Sequence, residues 1–257
     1  MIEQTHGDIR LLQFESLAKQ PGLAHAVTTR PQNMAPHRGV DRERSVTWRQ
    51  QTCDILGFNF DSLTAPTQVH GGDSLRIADC DVGRGRTGRD GAVAYVDGLL
   101  TDRRGVPMLI LSADCPVICV YDPVRPAVGA VHASWQGTVA LAASQLVHMM
   151  QREFDSEPAR LVAAICPSAG PCCYEVGEEV RRVAETKLTD THRCFVERDG
   201  KLFFDLWTAN RTQLIDAGVS LDNIETAGLC SICDKRFWSH RRDGAEAGRF
   251  GLMVGLQ

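Results

Sequence analysis

A chain of 257 residues with 43% hydrophobic content is long enough for one large domain, or two small ones, with an ample core. Its net charge of -4, with no block of like charge, excludes a basic nucleic-acid tail or a basic membrane surface. The start Met1-Ile2-Glu3-Gln4-Thr5-His6 lacks a signal-peptide layout, and no apolar run nears the ~18 residues of a membrane helix, so a soluble cytoplasmic protein is expected.

In chain order, residues 24–29 read as extended and 42–56 as a helix. Residues 65–70 are again extended and deliver His70 at their end. Gly83-Arg84-Gly85-Arg86-Thr87-Gly88 matches GxGxxG, but it runs into loop and strand instead of opening a helix. The dinucleotide reading is therefore set aside, and residues 84–89 read as a solvated basic loop. Residues 106–112 and 117–121 are short apolar runs bounded by turn signals, hence buried strands, and 127–131 continues them after Asp122-Pro123. Thr138 is placed as the cap of a helix whose Val139, Ala142, Leu146, Met149 and Met150 share a face, with His148 on the solvent side. Residues 161–165 read as a strand and 176–187 as a helix with Glu178 and Glu179 in its first turn. Asp205 reads as the N-cap of a helix ending before Gly218. Phe250, Leu252, Val254 and Leu256 alternate with smaller residues and predict a half-buried strand. Strands that come singly and in pairs between helices argue for a mixed α+β domain, not a regular doubly wound sheet. No linker or repeat divides it, so one domain over 1–257 is expected.

Ten cysteines without a signal peptide point to reduced thiols. Cys53, Cys80, Cys119, Cys166 and Cys194 read as small buried hydrophobes. Cys230-Ser231-Ile232-Cys233 is a CxxC, and with Cys172-Cys173 it offers four thiols for a closed zinc site. The second pair is contiguous instead of CxxC, so that reading is disfavoured. A redox role is disfavoured too, because no strand-CxxC-helix context surrounds the motif.

Three segments each end an apolar run with one metal-ligand type: Gln68-Val69-His70-Gly71, Ala113-Asp114-Cys115-Pro116, and His132-Ala133-Ser134-Trp135-Gln136-Gly137. Positions at strand exits can converge at one sheet edge, where scaffold-held loops carry catalysis. Two imidazoles and one thiolate suit an open catalytic zinc site, and copper is compatible by ligand type. The same residues also suit a metal-free pair, with Cys115 as nucleophile and His132 as its base. Around this centre, Asn33, Arg49, Arg211, His240, Arg241 and Arg242 are candidate polar contacts. The run from Phe237 to Gly244 sets aromatics beside two guanidiniums, a surface suited to a nucleoside with phosphate.

These three segments, with Tyr174-Glu175-Val176-Gly177, Asp205-Leu206-Trp207-Thr208-Ala209-Asn210-Arg211 and Phe237-Trp238-Ser239-His240-Arg241-Arg242-Asp243, stand in the order of a known family. The chain resembles the multicopper polyphenol oxidase (laccase-like) domain family, also called the peptidoglycan editing factor or purine nucleoside phosphorylase/deaminase family. The resemblance runs from about residue 25 to the end. It implies a layered α/β/β/α fold like that of bacterial toxin cysteine hydrolases. It implies a metal triad of His70, Cys115 and His132, usually holding zinc. It also implies phosphorolysis of adenosine, inosine and methylthioadenosine, with deamination of adenosine to inosine. Where the family has His-Ala-Gly-Trp-Arg-Gly, this chain carries Ser134 and Gln136, and Gln136 removes a positive charge.

The expectation is thus a zinc-dependent purine nucleoside enzyme in which the metal activates water or orients purine or phosphate. Asn33, Arg49, His240 and Arg241 are the expected substrate contacts, and Asp114 has a supporting or acid/base role. The expected partners are a purine nucleoside and phosphate, with no nucleic acid and no membrane. The alternatives are a thiol or metal hydrolase of peptidoglycan precursors and a copper-dependent polyphenol oxidase. Four-copper chemistry needs many histidines, and His6, His25, His37, His148 and His192 lie outside the motifs.

Overall fold

Two sheets stacked face to face organise the chain, and helices cover their outer faces. The computed structural model describes residues 1–36 and 42–257. One sheet has five strands in the order β1 (Ile2–His6), β2 (Ile9–Gln13), β3 (Leu23–Thr28), β14 (Phe250–Leu256) and β6 (Met108–Ser112). The second has six, in the order β13 (Ile224–Thr226), β9 (Val162–Ile165), β7 (Val117–Asp122), β8 (Ala127–His132), β5 (Gly98–Thr101) and β4 (Ser74–Arg76). A small third sheet joins β10 (Glu175–Val176), β12 (Lys201–Phe204) and β11 (Phe195–Arg198).

Apolar side chains from both large sheets meet between them, among them Val27, Met108, Ile110, Val117, Tyr121 and Leu252. On the outer face of the five-stranded sheet, α2 (Arg42–Leu56) buries Cys53 and Leu56 against Leu109 and Met253. On the outer face of the six-stranded sheet, α4 (Ala142–Phe154) and α6 (Leu206–Asp216) bury Leu146, Val147, Met150 and Leu214 against Ile118, Val120 and Val131. The expected α+β architecture with α/β/β/α layering is therefore found. Shorter helices α1 (Glu15–Ala18), α3 (Trp135–Val139), α5 (Glu178–Glu185) and α7 (His240–Asp243) complete the α-helices among the described residues, and five 3-10 turns join them.

Several local expectations are corrected. Strand β14 is buried at every residue, because it is hydrogen-bonded between β3 and β6 and packed on both faces. A Cβ at Gly251 would stand 2.8 Å from the Ile110 carbonyl oxygen, so the alternating small residues serve packing, not solvent. The helix bearing Ala142, Leu146, Met149 and Met150 begins at Ala142, after Leu141 at φ 66° and with no side-chain cap, not at Thr138. Ser134 caps the separate short α3 before it, accepting from the Gly137 N–H at 3.0 Å. Thr138 lies inside α3, and its hydroxyl accepts from Asn210 Nδ2 instead. Helix α5 is shorter than 176–187, because Val176 pairs with Leu202 in the small sheet. Cys80 is exposed, whereas Cys53, Cys119, Cys166 and Cys194 are buried as expected. Among the described residues, no helix is long and apolar enough to cross a membrane.

Candidate metal centre

Strand register alone brings the three ligands together. In the antiparallel β7–β8 pair Val117 faces His132, so Cys115, two residues upstream, lands beside the His132 ring. In the β5–β8 pair Gly98 faces Val131, so Asp97 arrives next to His132 from the other side. Strand β4 runs parallel to β5 with Ser74 facing Gly98, which places the turn containing His70 above Asp97. Gln68 secures that turn by bonding both the N–H and the carbonyl of Leu111, each at 2.9 Å, as a strand partner would. The ligand atoms of His70, Cys115 and His132 all lie within 4.8 Å of one another. The two imidazoles meet edge to face, with ring centroids 4.9 Å apart.

Asp97 organises the centre. It is fully buried, and its Oδ1 accepts from His132 Nδ1 at 3.0 Å. Its carboxylate also accepts the successive backbone N–H groups of His70 (2.9 Å), Gly71 (2.7 Å) and Gly72 (3.0 Å). Three consecutive amides wrapped round one anion form a nest, here closed by the protein's own carboxylate. His70 takes a left-handed φ of 69° to make it. Gly72, at φ +92°, lets α3 and the start of α4 approach closely, since a Cβ there would stand 2.8 Å from that of Ala142 and 3.1 Å from Gly137 Cα. With His132 Nδ1 held by a carboxylate, Nε2 is left for a metal or for Cys115.

Charge follows this geometry. Burial pushes Asp97 up, but the hydrogen bonds from His132, Gly72 and His70 outweigh it and hold its carboxyl down at about 2. Burial pushes His132 down, yet its electrostatic and hydrogen-bond partners Cys115 and Asp97 lift it to about 9. His70 is lowered, by burial first and then by repulsion from His132.

A cavity of about 410 Å³ opens onto the centre, a size suited to a small organic ligand. His70, Cys115 and His132 line it together with Arg49, Arg89, Tyr174, His240, Arg241 and Arg249. Of the expected contacts, His240 and Arg241 border the cavity on the exposed side, and Arg241 lies 5.2 Å over the Tyr174 ring. Arg49 borders it from within, with Nε and Nη1 donating to the carbonyls of Met34, Gly85 and Arg86. Burial lowers Arg49 to about 10, still charged at neutral pH. Asn33 is one layer back: its Oδ1 accepts from the Ala35 and Arg249 backbone N–H groups. Asp114 is buried, accepts from Ser231 Oγ and the Arg241 N–H, and carries a φ of 107°. Arg211 does not border the cavity, and Arg242 is spent on loop carbonyls and Asp243.

Sequence reasoning missed Asp97, Arg89 and Arg249. The one available signal for Asp97 was an acid set inside the apolar run that leads into Gly98–Thr101. The composition of 84–89 predicts a solvated loop, yet Gly85, Gly88 and Arg89 form one wall of the cavity. Ser134, where the family has glycine, donates to the His70 carbonyl at 2.9 Å while capping α3. Ser134→Gly should therefore lose about 1 kcal/mol and lower Tm by roughly 2–4 °C in a thermal melt.

Comparison with known proteins agrees with the motif order. Residues 17–257 match the family model described as multi-copper polyphenol oxidoreductase laccase. Over 264 residues the chain is 33% identical to a protein named purine nucleoside phosphorylase from Bacteroides thetaiotaomicron, covering 96% of this chain and 97% of that one. Over 224 residues it is 34% identical to adenosine deaminase RL5 from an unknown prokaryotic organism, covering 84% of each. The crystal structure of YlmD from Geobacillus stearothermophilus superposes with a TM-score of 0.91 at 31% identity, over 100% of this chain and 99% of that one. With its motifs in order, its ligands assembled and nearly its whole length matched, the chain belongs to the multi-copper polyphenol oxidoreductase laccase family.

Proposed function

We propose that this chain is a zinc-dependent purine nucleoside enzyme that splits adenosine, inosine and methylthioadenosine with phosphate and deaminates adenosine. The observation that carries this reading is the His70, Cys115 and His132 triad lining a 410 Å³ cavity bordered by four arginines. Relatives named purine nucleoside phosphorylase and adenosine deaminase support it. Two imidazoles and a thiolate, with Asp97 behind His132, suit zinc held by three protein ligands. Zinc there would supply Lewis acidity at the group under attack.

The chain's own residues do the rest. Arg89, Arg241 and Arg249 give the cavity the positive field that an incoming phosphate needs. Tyr174, backed by Arg241, offers an aromatic face for a purine. His240 borders the same exposed side and is proposed as a ribose or phosphate contact. Both Asp114 oxygens are engaged, so we assign it to positioning Cys115 and Arg241 instead of moving a proton. Asn33 and Arg49 are assigned to shaping the wall, Asn33 through the Arg249 backbone and Arg49 through Gly85.

Copper is the less favoured metal. Among the described residues, the two ligand clusters hold two histidines in all, too few for four coppers, while His37 lies outside the described residues. His25 is a core residue whose Nε2 accepts from the Phe14 N–H at 2.9 Å. The free thiols of all ten cysteines suit a reducing compartment, and we propose the cytoplasm.

One observation favours a second reading. Cys115, His132 and Asp97 stand in line as a thiol, its base and an orienting carboxylate, as a metal-free hydrolase of cell-wall precursors would need. Zinc content and turnover of adenosine with inorganic phosphate, measured on one sample, decide between the two. About one zinc at this triad, with adenine, inosine or hypoxanthine formed and lost on chelation, is the expected result. No metal and no purine product, with a Cys115 that is readily alkylated, would instead favour the thiol enzyme.

A further inference from the structure

Some distance along the sequence from the triad, four more sulfurs gather. Cys172 and Cys173 lie in a tight turn closed by the Cys173 and Tyr174 N–H groups on the Gly170 carbonyl, at 3.0 and 2.9 Å. Cys230 and Cys233 lie in a second turn, closed by the Asp234 N–H on the Cys230 carbonyl at 2.8 Å. A bridge between Ser168 and Cys230 sets the two turns side by side. The Sγ atoms of all four lie within 4.8 Å of one another. Cys233 Sγ is 3.7 Å from that of Cys172 and 3.2 Å from that of Cys173, and all four thiols are free.

Four thiolates set tetrahedrally at ~2.3 Å from a zinc ion stand roughly 3.8 Å apart, close to the spacing seen here. The contiguous pair, which counted against a site in the sequence, is no obstacle, because the turn at Gly170 presents both sulfurs to Cys233. A Cβ at Gly170 would stand 2.6 Å from the Trp207 ring, so this turn depends on glycine. The backbone supports a thiolate at Cys230, whose Sγ accepts from the Gly170 N–H at 3.3 Å and from the N–H groups of Ile232 and Cys233. Packing gives no comparable reason for the cluster, since Cys172 and Cys233 are exposed. Such N–H donors are the outer support that metal-held ligands use.

We propose that Cys172, Cys173, Cys230 and Cys233 hold a structural zinc ion, closed by four thiolates and separate from the triad. The ion would staple the turn before Tyr174, which lines the cavity, to the turn holding Ser231 behind Asp114. Tyr174 follows Cys173 directly, and Ser231, inside the CxxC, donates to Asp114 Oδ1 at 2.6 Å. The staple works through position and touches no substrate.

The test is metal analysis of the full chain purified under reducing conditions, beside Cys172→Ser/Cys233→Ser and His70→Ala. About two zinc ions per chain are expected in the unaltered protein, and about one in each variant. Cobalt added to zinc-stripped His70→Ala should give intense thiolate-to-metal charge-transfer absorption, which adding the two serine changes removes. Equal zinc in the unaltered and Cys172→Ser/Cys233→Ser proteins, without that absorption, would overturn the proposal. So would a disulfide within the cluster in anaerobically purified protein. Should the triad hold no zinc, His70→Ala would keep the parent's full metal content, which separates that failure from this one.

Discussion

Cys115→Ala should strip the triad of its metal and of most activity while leaving the fold intact. Cys115 is half-buried at a strand exit, and its side chain carries no part of the core between the sheets. A structural zinc contributes about 10–16 kcal/mol through four ligands, so one lost ligand of three should cost roughly 3–4 kcal/mol, or two to three decades in affinity. Turnover of adenosine with phosphate should fall on the order of 10³-fold, about 4 kcal/mol in the barrier. Competition titration with a zinc indicator and the thermal melt give both readouts. Unchanged zinc affinity with unchanged turnover would refute the assignment of Cys115. Affinity should also respond to pH. In the ion-free protein, charged His132 contributes stability that is fully present below ~6.5 and is lost as pH rises through about 9. The proposed zinc would compete with a proton for that ring, so its affinity should climb roughly tenfold per pH unit up to that point.

Asp97→Ala should damage both stability and metal binding, more than any substitution at the cavity rim. It leaves the His70, Gly71 and Gly72 amides and His132 Nδ1 without their shared acceptor, where Gly72 and His132 are buried and His70 and Gly71 are exposed. Breaking one partner of a buried charged network costs about 3–5 kcal/mol. Loss of the orienting carboxylate should weaken zinc by a further 10–100-fold. Asp97→Asn keeps one acceptor oxygen but turns an NH2 toward N–H donors and removes the charge, so its stability should lie between the parent's and that of Asp97→Ala. Its pH dependence is diagnostic. The held-down carboxyl contributes stability that is present above its ordinary value near ~3.9 and is lost as pH falls through about 2. Acid unfolding of Asp97→Asn should lack that component. An identical acid limb in both proteins would show that Asp97 is not held as described.

Much of the scaffold was legible because it rests on local chemistry. The strands over 108–112, 117–122 and 127–132 announce themselves as short apolar runs between turn residues. Asp205 caps α6 through its own side chain, and α2 begins and ends at the expected residues. The misreadings share one cause. Thr138 and Ser134 are both good capping residues four apart; Ser134 caps α3 and also reaches the His70 carbonyl, while the Thr138 hydroxyl is taken by Asn210, both contacts from distant parts of the chain. The alternation in β14 suits one solvated face equally well, and a second packed layer is a tertiary fact.

By itself, the sequence determined the candidate ligand types and the family whose motif order they follow, and it set Cys115 and His132 after strands; the expected extended segment 65–70 makes only isolated bridges at Thr64 and Pro66 before His70. Donor chemistry and strand endings depend on neighbours along the chain, so they can be read there. Only the tertiary structure decided that Asp97 stands behind His132 and that Arg89 and Arg249 share the cavity with Arg241. It also decided that Cys172 and Cys173 meet Cys230 and Cys233. Each of these depends on the register of paired strands or the packing of distant turns, and a one-residue slip would turn every such side chain to the opposite face.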